Sequence, residues 1–198
     1  MKMGNVSRLG LALAMVVAGE AALATDVSYD FVELRFIDTE IDDANVDGDG
    51  FQISGSYNIS GNWLIVGGYT SLDFDGPVEG SLLEAGGGYV WPVDPKFDLF
   101  STISIARAEV DVGSFSDDET GFRIVGGIRT KFTDQFEGRA ELNYLDIDDS
   151  DTLIRLGGDY YFTPQFAGGA TIDLGGDNDQ ITFGIRYFFG DRRVRNVN

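Results

Sequence analysis

The chain has 198 residues, with 33 acids against 14 Lys and Arg, a net charge of −19, and neither Cys nor His. Without Cys there is no disulfide, thiolate metal site, Cys nucleophile or lipid-anchored Cys near the N-terminus. Without His the commonest general base and the commonest transition-metal ligand are missing. The acidic balance excludes nucleic acid as a partner, because phosphates need clustered cations.

Residues 1–24 differ from the rest. Lys2 and Arg8 precede an apolar run from Leu9 to Gly19, and Ala22-Leu23-Ala24 puts small residues at a cleavage site. This is the pattern of a secretory signal peptide. An N-terminal membrane anchor is the alternative, but the run falls short of the ~20 residues a spanning helix needs. The mature chain is expected to begin at Thr25.

From there the chain reads as short segments with a period of two, the signature of strands. Val32, Leu34 and Phe36 oppose Glu33 and Arg35; Phe51, Ile53 and Tyr57 oppose Gln52, Ser54 and Asn58. Segments near 63–72 and 97–108 are poorer, and their register stays open. Leu83, Ala85, Tyr89 and Trp91 then oppose Glu84. Phe122, Ile124 and Ile128 oppose Arg123, Arg129 and Lys131. Phe136, Ala140, Leu142 and Tyr144 oppose Glu137, Arg139, Glu141 and Asn143. Ile154, Leu156 and Tyr160 oppose Arg155 and Asp159, and Phe166, Ala170 and Ile172 oppose Thr171 and Asp173. Last, Ile181, Phe183, Ile185, Tyr187 and Phe189 oppose Thr182, Gly184 and Arg186. That makes ten strands, with a repeating unit of 30 to 40 residues. Four connectors are tight, at 60–62, 93–96, 133–135 and 163–165. Five are read as longer, at roughly 38–50, 73–81, 109–119, 146–151 and 175–180. All four prolines fall in or beside connectors, as the ladder's need for N–H donors requires.

Alternation alone fits a soluble barrel or sandwich as well as a membrane barrel. Here the polar faces carry charge in most strands, whereas the apolar faces carry almost none. Aromatics crowd the tight-turn end, including Tyr57, Trp63, Tyr89, Trp91, Phe132, Phe136 and Phe162. Such rings suit the lipid headgroup level. A sheet in lipid must also close. The expected fold is therefore all-β: a closed antiparallel up-and-down transmembrane β-barrel over 25–189, with a short basic tail at 190–198.

The chain resembles the small outer-membrane β-barrel proteins of Gram-negative bacteria, the group holding the OmpA membrane domain, OmpX and the opacity-type adhesins. The most specific motif is the terminal strand, with Ile185, Tyr187 and Phe189 in alternation. It is similar to the signal that the barrel-assembly machinery reads in that family. Two departures stand out. Gly190 to Asn198 follow the motif, and the best-known members have eight strands, so eight is the alternative to ten. The resemblance implies the bacterial outer membrane, lipids as partners, and both termini in the periplasm. The enzymes among such barrels use His, which this chain lacks, so no catalytic residue is expected.

The inward faces are expected to hold a charge network. Its cations are Arg35, Arg123, Arg129, Lys131, Arg139, Arg155 and Arg186. Its anions are Glu33, Glu84, Glu137, Glu141, Asp159 and Asp173. A narrow lumen is mostly filled by side chains, and buried charges there must pair. Glu137 and Glu141 read as ion-pair partners of Arg139 and its neighbours. The same groups could instead line a narrow pore.

The five longer connectors hold 20 acids and no Lys or Arg. They are a solvated, repelling surface, or one that gathers cations or a basic surface partner. Asp43, Asn45, Asp47 and Asp49 match the first half of a calcium loop, with Gly48 at position 6, but Ser54 replaces the position-12 Glu. Weak calcium or magnesium binding is the most this pattern offers, and no other cofactor is expected. The leading function is a non-enzymatic envelope or surface-interaction protein. A narrow porin-like channel comes next, separable by bilayer conductance. A soluble periplasmic ligand-binding barrel comes last, separable by solubility without detergent.

Overall fold

The computed structural model of the protein describes residues 27–41, 46–74, 76–175 and 179–189. The leader at 1–24 and the tail at 190–198 lie outside them. Ten strands follow in order: β1 (Phe31–Ile41), β2 (Val46–Ser60), β3 (Trp63–Phe74), β4 (Val78–Asp94) and β5 (Phe97–Val112). Then come β6 (Phe115–Lys131), β7 (Phe136–Asp146), β8 (Ser150–Tyr161), β9 (Phe166–Leu174) and β10 (Asp179–Phe188). Each pairs antiparallel with its sequence neighbours. β10 closes on β1, from Phe31↔Phe188 to Glu40↔Asp179. The barrel has ten strands rather than eight, and closure leaves no edge strand, as lipid requires.

The apolar positions of the alternation point outward. Phe36, Ile105 and Ile185 are 62%, 68% and 61% exposed. A belt of such side chains running round a whole barrel has no place in water. On β3 the first outward charge above Trp63 is Asp73. At a strand's rise and tilt, that interval spans a belt roughly 25 Å tall, the height of an outer-membrane hydrocarbon band. The two poorer segments now have a register. Trp63, Ile65 and Tyr69 face out from β3, and Leu99, Ile103 and Ile105 from β5, while Leu64, Thr70, Asp98 and Ser104 are buried inside.

Rings gather at the end where Val27 and Phe189 lie. Trp63 and Tyr89 lie 5.0 Å apart, Tyr89 and Trp91 4.9 Å, Phe166 and Tyr187 4.9 Å, and Tyr57 and Phe189 6.2 Å. Two turns at this end share the sequence Phe-Thr-x-Gln-Phe. In each the threonine hydroxyl, Thr133 or Thr163, accepts from the backbone N–H of the final Phe at 3.0 Å. That local bond fixes the turn without a long loop.

The connectors at the far end are shorter than the sequence suggests. β5 runs on to Val112 and β6 begins at Phe115, so the expected connector over 109–119 is mostly strand. β1 and β2 likewise extend to Ile41 and back to Val46. The apolar alternation stops where lipid stops, but backbone pairing continues into water. Polarity therefore marked the lipid boundary, not the strand end.

Candidate functional site

The inward faces bring the predicted charges together. Arg35 donates to Glu33 at 2.7 Å and to the Thr171 and Thr182 hydroxyls at 2.9 and 2.8 Å. Arg186 donates to the same Glu33 oxygen at 3.1 Å and stands 3.5 Å from Asp159. Arg139 lies 3.7 Å from Asp159 and 3.9 Å from Glu33. Arg155 holds Asp173 through two nitrogens at 2.7 and 2.6 Å, and Arg123 meets Glu84 at 2.7 Å. Arg129 reaches one oxygen of Glu137 at 2.7 and 2.6 Å, while the Tyr161 hydroxyl donates to the other at 2.7 Å.

One pairing differs from the expectation. Arg139 sits between Glu137 and Glu141 on β7 but pairs with neither. Its guanidinium turns instead to Asp159 and Glu33 on other strands. Glu141 stands half-buried opposite Arg155 in the β7–β8 register. The bracing side chains lie flat on the wall where the next strand has no Cβ. A Cβ on Gly184 would come within 2.7 Å of Arg35 Cγ, and one on Gly157 within 2.8 Å of Arg139 Nε. The sequence reading missed Asp98, buried on β5, because the register there was open. It also missed the aromatic partners. Lys131 Nζ lies 4.4 Å above the Tyr161 ring, and the Arg186 guanidinium 4.3 Å above Phe31.

Below the network lies an apolar floor that the alternation did not announce. Val27 and Tyr29, just ahead of β1, are buried inside the barrel against Leu64 and Val90, with Val66 and Phe100 packed on them. Arg129 secures this segment by donating to the Ser28 carbonyl at 2.8 Å and lying 4.6 Å over the Tyr29 ring. Tyr161, Ala167 and Phe188 form a second apolar cluster, with Phe31 packed against it.

Two chambers lie above the floor. The nearer is about 190 Å³ and has Val66 and Phe100 in its lining. The farther, about 320 Å³, shares Arg35, Gln52, Arg123 and Arg155 with it and reaches Phe74, Val110 and Asp151 near the strand ends. The space exists because the two walls differ. On β2, β3 and β5 the nearer chamber meets Ser54, Ser56, Gly68, Thr102 and Ser104, while long arginines fill the opposite side.

The chain matches the Outer membrane protein beta-barrel domain over residues 9–189. It belongs to that family. No curated protein sequence matches it. Among solved structures it is similar to the KdgM porin in complex with disordered oligogalacturonate, at 11% identity and a TM-score of 0.46, covering 81% of this chain and 99% of that one. It is also similar to Ail, the attachment invasion locus protein of Yersinia pestis, at 12% identity and a TM-score of 0.42, covering 81% and 99%. Neisserial surface protein A gives 15% identity and a TM-score of 0.43, covering 82% and 98%.

In an outer-membrane barrel the far rim lies beyond the hydrocarbon band. There the register aligns carboxylates on neighbouring strands: Asp38↔Asp49, Asp49↔Asp73, Asp73↔Glu79 and Glu79↔Asp111. Like charges directly opposite each other repel. Farther round, Asp148, with help from Asp117 and Asp149, raises the Glu119 pKa above its ordinary value. Of the four calcium-loop candidates, Asp43 and Asn45 lie outside the described residues. Asp47 pairs with Glu40 in the β1–β2 ladder, and Asp49 is exposed on β2. Among the described residues no group of three or more acidic side chains is gathered as a metal site.

Proposed function

We propose that the protein is a sealed, non-enzymatic outer-membrane barrel that acts at the cell surface, with its termini in the periplasm and its acidic rim outside. The observation that carries this reading is the floor. Val27–Tyr29 occupies the lumen at the terminal end, and Arg129 ties it to the wall. Short turns on that side and strands prolonged on the other support the orientation. The outward Ile185, Tyr187 and Phe189 are positioned for the barrel-assembly machinery and lipid, and the acid-rich rim suits a cationic surface partner. The absence of His and Cys from the chain supports a role without catalysis. Planar-bilayer recording tests the reading. The wild-type barrel is expected to stay silent, whereas removing residues 25–29, or Tyr29→Gly, opens small steps by joining the nearer chamber to the terminal end. Steady conductance from the wild type would favour the narrow-channel reading instead.

A further inference from the structure

We infer that the far chamber is a binding site for a small organic cation, an ammonium carried on an apolar body. A water-filled lumen calls for polar inward side chains. At this level β1, β3, β4, β7 and β8 instead turn Ile37, Leu72, Leu82, Leu145 and Leu153 inward, with Phe74 beside them. These side chains line a cavity of about 320 Å³. The apolar clusters of the barrel lie at the other end, around Tyr29 and Phe188. An apolar collar around an open volume of this size is what a small ligand needs to bury its body.

Charge decides the head group. The three arginines beneath the collar are already held, Arg35 by Glu33, Arg123 by Glu84 and Arg155 by Asp173. Their charge is already balanced, so an anion finds no unpaired cation there. Asp151 lines the chamber one inward position nearer the rim than Leu153, whereas Glu109, at the border, shares the outward face of β5 with Ile103 and Ile105. Asp151 has no Lys or Arg ion-pair partner among the described residues; Glu109 accepts from the Ser116 hydroxyl at 3.2 Å. The carboxylates aligned across β1 to β5 add to the same field, which draws cations in and turns anions away.

This inference stands apart from the seal proposed above. The test is calorimetric titration of the full barrel in lipid nanodiscs, with empty nanodiscs subtracted. The probes are phenethylammonium, phenylacetate and 2-phenylethanol at matched ionic strength. Phenethylammonium is expected to bind saturably and roughly fivefold or more tighter than the neutral alcohol, with phenylacetate weakest. Asp151→Asn should weaken the cation by roughly threefold or more and narrow the gap to the alcohol. Leu153→Trp, or Leu82→Trp if the first variant does not fold, should abolish saturable binding by filling the chamber. Heat-modifiable gel mobility verifies that each variant is folded. Equal affinity for the three probes, or unchanged binding in a folded tryptophan variant, would overturn the inference. A conducting barrel that still binds the cation would refute the seal alone, and a silent barrel that binds none would refute this site alone.

Discussion

Glu137 is fully buried in the lumen, with Arg129 on one oxygen and the Tyr161 hydroxyl on the other. Removing Arg129 would leave that carboxylate without its counter-ion and would also release the Ser28 carbonyl. Arg129→Ala is therefore expected to destabilise the barrel by about 3–5 kcal/mol, measured by denaturant unfolding in lipid. The double change Arg129→Leu with Glu137→Leu should cost less, because no buried charge is stranded. At the rim, charge works the other way. The folded pKa of Glu119 is raised, chiefly by Asp148. Its contribution to stability is thus fully present below the unfolded pKa and fades as pH rises through the folded one. NMR titration should find Glu119 above the roughly 4.3 of a free glutamate, and Asp148→Asn should bring it down. An unmoved titration would contradict the repulsion. Alternation showed which charges turn inward; it could not show their partners, since pairs such as Arg186 with Glu33 join residues far apart in sequence.

β10 shows how far an element can be read directly. Its period-two pattern gave the outward Ile181, Phe183 and Ile185, and each is about half exposed or more. If that face meets hydrocarbon, Ile185→Arg should cost roughly 2–4 kcal/mol near the middle of the bilayer. Folding yield in lipid vesicles measures it, and a fully tolerated arginine would refute the lipid face. β3 and β5 resisted the same reading for a physical reason. Their inner faces carry Leu64, Val66 and Phe100, which are apolar because the segment at Val27–Tyr29 packs on them. No local pattern records that contact. The far ends of the strands were lost for the opposite reason. Carboxylates follow one another along extended, paired backbone there, and polarity made strand look like loop.

Across the whole molecule the lumen changes character along its axis. An apolar floor contains the chain's own N-terminal segment. A balanced ion network braces one wall, glycine, serine and threonine leave space on the other, and an apolar collar lies beneath acidic strand ends. The lack of any cysteine makes one measurement decisive for this arrangement. Single cysteines are placed at Leu82 in the far chamber, at Asp134 in a turn of the terminal end and at Val90 in the floor, and intact cells are treated with a membrane-impermeant maleimide. A sealed barrel with its acidic mouth outward predicts that Leu82→Cys is labelled on intact cells. Asp134→Cys is labelled only after the outer membrane is opened, and Val90→Cys only after unfolding. Labelling of Asp134→Cys on intact cells, or of Val90→Cys in the folded barrel, would contradict the account.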